Sequence, residues 1–114
     1  MEPLVSVIVA TYNRFWELER ALLSLKNQSY PNLEVIVIDD NADSEKNEKV
    51  SQIIHSTGLD ITYIKNEVQK GSAQTRNEGI KKANNQPIHE YYVTSRSNAG
   101  KDIAKDEVAI LTKE

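Results

Sequence analysis

Val5-Ser6-Val7-Ile8-Val9-Ala10 runs directly into Thr11-Tyr12-Asn13-Arg14, and this junction limits the fold more than any other stretch. A strand with one wet face alternates apolar and polar residues. This run is apolar almost throughout and rich in β-branched side chains, the pattern of a strand covered on both faces inside a parallel sheet. After the polar tetrad, Leu18, Ala21, Leu22 and Leu25 recur at i, i+3, i+4 and i+7, one stripe of an amphipathic helix. A buried strand that feeds a helix through a short polar turn leaves a crevice at its carboxyl end. Open α/β sheets bind ligands there, and Thr11, Tyr12 and Asn13 fall in it.

The chain then repeats the alternation. Asn13 is a candidate N-cap for the first helix, and Ser29-Tyr30-Pro31-Asn32 stops that helix. Leu33 to Ile38 reads as a second buried strand ending in Asp39-Asp40. Asn41-Ala42-Asp43-Ser44 has cap chemistry and leads to a helix with Val50, Ile53 and Ile54 on its apolar side and Gly58 as its stop. Ile61 to Ile64 reads as a third strand, and Lys65 to Lys70 as a polar loop. Gly71-Ser72 opens a third helix with Ala73, Asn77, Ile80 and Ala83 along one side, ended by Asn84-Asn85. Ile88 to Val93 is compatible with a fourth strand on the far side of the first. Asp102 to Leu111 reads as a helix, with Ala104, Val108 and Leu111 as its stripe. The expected fold is an α/β sandwich with a mainly parallel sheet and right-handed crossovers.

At 114 residues the chain is expected to be one domain. Its charges, 14 Lys plus Arg against 17 Asp plus Glu, are interspersed, so no basic face for nucleic acid is expected. There is no cysteine, hence no disulfide framework or thiolate metal site. No apolar run is long enough to span a bilayer, and Met1-Glu2-Pro3 lacks the basic start of a signal peptide. A cytoplasmic location is the expectation. The sequence holds no G-x-x-x-x-G-K-[ST] phosphate loop, no G-x-G-x-x-G turn and no G-x-S-x-G nucleophile elbow. His55 and His89 lack metal-ligand spacing.

What remains is a set of polar residues at strand ends. Tyr12 suits stacking on a planar ring. A carboxylate at Asp39 or Asp40 accepts N–H groups of a base or hydroxyls of a sugar. Arg76, near the start of a helix, suits a phosphate, and the helix N-terminus adds N–H donors for the same anion. Each residue also has a purely architectural reading: Tyr12 as a loop aromatic over the core, Asp39 and Asp40 as turn caps, Arg76 as a solvated cation paired with Glu78.

The stretch Val5 to Arg14 resembles the opening strand and loop of the family 2 glycosyltransferases, which have the GT-A fold. Leu22-Leu23-Ser24-Leu25 and the run Gln28 to Asp40 resemble the family's next block. Asn66, Gly71, Ala73, Arg76-Asn77, Gly79-Ile80 and Ala83 resemble a third. The resemblance covers about residues 5–83. It implies a Rossmann-like three-layer sandwich and a nucleotide-sugar donor, usually a uridine diphosphate sugar, for transfer to a hydroxyl acceptor. It implies that Tyr12 stacks near the base and that Asp40 bonds the base edge. Thr11 and the Ala10 backbone would line that pocket, Asp39 would support it, and Arg76 would sit near the diphosphate or order the carboxylates.

The family also implies a divalent metal, Mg²⁺ or Mn²⁺, held by an Asp-x-Asp cluster. This chain has Thr94-Ser95-Arg96-Ser97 where that cluster is expected, and no Asp-x-Asp anywhere. No catalytic residue and no metal ligand is assigned. The division expected is residues 1–83 as a donor-binding part and 84–114 as a divergent segment of one truncated domain. A partner subunit or a missing C-terminal half would supply the acceptor site. The alternatives are a non-catalytic nucleotide-sugar binding module and an inert fragment.

Overall fold

The two most apolar runs become the centre of the sheet. The computed structural model describes residues 4–84, 89–92, 95–96, 102–103 and 108–112. Strands β1 (Val5–Thr11) and β2 (Leu33–Asp39) pair in parallel, from Val5 opposite Leu33 to Thr11 opposite Asp39. Strand β3 (Ile61–Lys65) adds in parallel to β2, with Asp39 opposite Lys65. The level register brings the carboxyl ends of all three strands to one rim, so the loops that follow them open side by side.

Helices α1 (Phe15–Lys26) and α2 (Ser44–Thr57) cover one face, and α3 (Ser72–Lys82) covers the other. The pleat sorts the core between them. Val7, Val9, Val35 and Val37 pack with Leu18, Leu22, Val50 and Ile54. Ile8, Ile36 and Ile38 face the other way, against Ile80 and Ala83. This is the expected three-layer α/β sandwich. Asp43 caps α2, accepting from the N–H groups of Glu45 and Lys46, and Gly58 ends that helix in the left-handed conformation.

Three expectations need correction. Asn13 does not cap α1: the flanking residue is Arg14, and no side chain caps the helix. Asn13 stands one residue earlier with φ of 56° and serves a different bond, described below. On α3 the residues pressed to the sheet are Thr75 and Gly79, while Ala73 and Asn77 are exposed. A β-carbon at Gly79 would overlap Ile8 Cγ2 and Ile38 Cδ1, so glycine lets the helix backbone lie directly on the isoleucines. A hydrophobic-stripe reading has no way to register a side chain that is absent.

The third correction concerns the C-terminal segment. The described residues of the helix expected over Asp102 to Leu111 are strand, and residues 104–107 lie outside the described residues. Asp102–Ile103 forms β6, which pairs antiparallel with β5 (Ser95–Arg96) in a separate two-stranded sheet. Val108–Thr112 forms β7, which pairs antiparallel with β1. Strand β4 (His89–Tyr92) exists, but it pairs with β7 and lies at the sheet edge, not beside β1. Ile88 and Val93, the ends of the expected strand, lie outside the described residues. The main sheet has the order β3-β2-β1-β7-β4, and only β7 runs against the rest. The physical reason is composition: Val-Ala-Ile-Leu-Thr is a short apolar run rich in β-branched residues and suits a central strand, whereas His-Glu-Tyr-Tyr suits an edge.

Candidate functional site

The strand-end residues fall into two layers. Ala10, Thr11, Tyr12 and Asp40 line one cleft of about 270 Å³, closed on its other side by Gln69, Gly71 and Ser72, with Arg14 at its margin. Four of the six sequence-predicted site residues therefore meet in one place. Asp39 lies behind the cleft, fully buried. Arg76 stands half-buried on α3 and is not part of the cleft's lining.

The split between the two carboxylates follows from strand geometry. Successive side chains point to opposite faces, so Asp39 joins the α2 face and Asp40 the α3 face. Asp39 Oδ1 accepts from the Asn41 N–H at 2.9 Å and Asn41 Nδ2 at 2.8 Å. Its Oδ2 accepts from Asn47 Nδ2 at 2.7 Å and the Tyr63 hydroxyl at 2.6 Å. Burial, then the bond and charge of Asp39, push the Tyr63 phenol well above its ordinary range, so it stays a donor. Four donors on one buried carboxylate make Asp39 an anchor.

Asp40 is 3% exposed and gathers the β3–α3 loop. Its Oδ1 accepts from Asn66 Nδ2 at 2.9 Å and the Lys70 N–H at 2.8 Å, and its Oδ2 from the Gly71 N–H at 2.9 Å. Asn66 Nδ2 also reaches Thr75 Oγ1 at 3.1 Å, and Lys70 pairs with Glu78 at 2.6 Å. The loop that forms the far wall of the cleft is thus tied to the end of β2. Gly71 takes φ of 87°, and no side chain caps α3, so its first turn opens beside the cleft.

Thr11 is 2% exposed, and its Oγ1 is buried with no hydrogen-bond partner; by the same alternation it follows Val7 and Val9 to the Asp39 face, away from the cleft. Buried hydroxyls are nearly always bonded, because leaving one unmet costs about 1–3 kcal/mol. Next to it Tyr12 is 39% exposed, its aromatic face offered to whatever enters. An exposed aromatic side chain, a carboxylate and a helix start around one cavity suit a flat polar ring carrying an anionic group.

Sequence reasoning did not assign Arg14, Gln69, Gly71 or Ser72 to the site. The signal for the last three was available: the loop after a third parallel strand reaches the same rim as the other two. The metal implied by the resemblance does not fit the residues described. Asp39 accepts from four protein donors, and among the described residues no group of three or more His, Asp or Glu converges. Among the described residues, no helix is long and apolar enough to cross a membrane.

Residues 6–94 match the model of glycosyl transferase family 2, and the chain belongs to that family. A glycosyltransferase of Haemophilus influenzae is 36% identical over 81 residues, which are 71% of this chain and 32% of the relative. The GalNAc(5)-diNAcBac-PP-undecaprenol beta-1,3-glucosyltransferase of Campylobacter jejuni is 39% identical over 82 residues, 71% of this chain and 26% of that one. The UDP-Glc:alpha-D-GlcNAc-diphosphoundecaprenol beta-1,3-glucosyltransferase WfaP of Escherichia coli is 33% identical over 98 residues, 82% of this chain and 38% of that one. The chain thus spans about a third of the length of these relatives. No solved structure matches it at a significant level.

Proposed function

We propose that this chain binds the nucleotide of a sugar donor, a uridine diphosphate sugar, in the cleft between Tyr12 and the start of α3, as the donor-binding part of a glycosyltransferase. The observation that carries this reading is the meeting of Tyr12 and Asp40 with Gly71 and Ser72, at the start of α3, around one cleft. Tyr12 stacks on the base. Asp40 meets the polar base edge, where uracil presents an N–H between two carbonyls, and Thr11 and the Ala10 backbone line the wall beside it. The uncapped first turn of α3, with Ser72, faces the diphosphate. Arg76, outside the cleft lining, is assigned to phosphate beyond the nucleoside or to ordering the carboxylates. A relative whose name specifies UDP-Glc supports the uridine assignment.

No transfer step is placed on the described residues. They bind and orient a donor; positioning of an acceptor and a base for its hydroxyl is left to residues beyond them.

Calorimetry with uridine and cytidine diphosphates tests the reading. Cytosine offers an acceptor where uracil offers the N–H, so uridine diphosphate binds more tightly. A charge-assisted hydrogen bond contributes about 1.5–3 kcal/mol, so Asp40→Ala weakens binding at least roughly tenfold. Equal affinity for both nucleotides, or none for either, overturns the proposal.

A further inference from the structure

We propose that Asn41 is a positioning residue for nucleotide binding: it ties the Asn13 amide to the buried Asp39 carboxylate and so fixes Tyr12 against the cleft. The inference rests on the donor-cleft reading above. Asn41 is 1% exposed, and both ends of its side chain are used. Its Nδ2 donates to Asp39 Oδ1 at 2.8 Å, and its Oδ1 accepts the Asn13 N–H at 3.1 Å. Its own N–H donates to Asp39 Oδ1, and its carbonyl accepts from Asn47 Nδ2 at 2.7 Å. The amide plane is therefore held from the end of β2 and from α2, and it reaches across to the turn after β1.

That turn needs a restraint. Asn13 is the one non-glycine residue with positive φ among the described residues. The left-handed region is sparsely populated for such residues, and a residue held there costs of order 1 kcal/mol or more unless its surroundings impose it. Asn13 is exposed, so packing does not impose it; the bond to Asn41 does. Tyr12, immediately before, borders two clefts. One contains Thr11 and Asp40; the other contains Asn41, Asp43 and Lys46. A turn free to relax lets the ring swing between them, and a base then finds its stacking partner only part of the time.

The test uses the full chain with Asn41→Ala and Asn41→Ser, alone and combined with Tyr12→Ala. Asn41→Ser keeps the backbone N–H donor to Asp39 and a small polar side chain, but is one heavy atom too short to reach the Asn13 N–H, so it reads the tie even where Asn41→Ala fails to fold. Without ligand, amide exchange followed by NMR shows faster exchange at Asn13 while the β1 and β2 amides keep their protection. With uridine diphosphate, affinity falls roughly three- to tenfold, the range of one lost hydrogen bond. On the Tyr12→Ala background the same change has little further effect, because the residue it positions is gone. Unchanged exchange at Asn13, unchanged affinity in the folded variant, or a loss that adds in full to that of Tyr12→Ala overturns the proposal. A wild-type chain without affinity for the nucleotide overturns the donor reading and the positioning role with it. The Asn13 exchange rate then still shows whether the tie exists.

Discussion

The two faces of the central sheet are held by different means. On the α1–α2 face, large side chains interlock: Leu18, Leu22, Val50 and Ile54 fill the space over the valines of β1 and β2. On the α3 face, Gly79 brings the helix backbone directly onto Ile8 and Ile38, with Ile80 half-buried and Ala83 buried beside them. The same division continues at the strand ends. Asp39 belongs to the first face and anchors α2 and the turn after β1; Asp40 belongs to the second and gathers the loop before α3. One face therefore resists change by volume, the other by closeness of approach, and the cleft opens at the rim where the two meet.

Removing volume from the first face has the largest expected effect. Leu22 is fully buried, and Leu22→Ala leaves a cavity that α1 cannot close without parting from α2. The cost is about 2–5 kcal/mol, read as a drop in the denaturant midpoint. A loss below about 1 kcal/mol would mean that the face collapses freely and is not a packed layer.

Adding volume to the second face comes next. Gly79→Ala forces α3 away from Ile8 and Ile38 and costs about 1–3 kcal/mol, offset by up to about 1 kcal/mol of better helix propensity. Equivalent additions on the other face give the comparison its edge: Ala21→Val on half-buried α1 costs less. If Gly79→Ala is neutral or stabilising, α3 sits loosely and the contrast between the faces fails. Because α3 begins at the cleft, the variant also weakens uridine diphosphate binding.

How much of this was legible in the sequence follows the same division. The first face announces itself through stripes of large apolar residues, and Val5–Ala10, Leu33–Ile38 and the α1 and α2 stripes led directly to it. The second face depends on a missing side chain at Gly79 and a small polar one at Thr75, which hydropathy patterns read as nothing. The rim was half legible. Strand ends in a parallel sheet meet, so Thr11, Tyr12 and Asp40 were expected together; that Asp39 turns inward follows from strand alternation alone. The backbone state of Asn13 and its bond to Asn41 depend on contacts 28 residues apart in sequence, for which no local pattern exists. In the C-terminal segment, Val108 to Thr112 satisfies helix spacing and strand composition at once, and only pairing with β1 decides between them.

The smallest effect is the sharpest probe of how the first face ends. Tyr63 donates to Asp39 Oδ2 at 2.6 Å from the edge strand β3. Tyr63→Phe leaves that oxygen with Asn47 Nδ2 and removes one bond to a charged acceptor. Tyr63 is only half-buried, so water replaces part of it, and the loss is about 1 kcal/mol. The dependence on pH follows from the raised phenol. Burial, and then Asp39, raise the phenol's pKa in the folded chain, while in the unfolded chain it ionises near about 10. Below that value both states hold the proton and the bond contributes fully. Above it the unfolded state releases a proton that the folded state retains, so stability falls as pH rises toward the folded pKa. The wild type therefore begins to lose its advantage over Tyr63→Phe only as pH rises past about 10, and the gap in urea midpoint narrows from there toward the folded pKa. A gap that stays constant would mean that the phenol contributes by packing and not by its bond to Asp39. Asp39 would then be held by Asn41 and Asn47 alone, and the anchoring of the first face would not extend to β3.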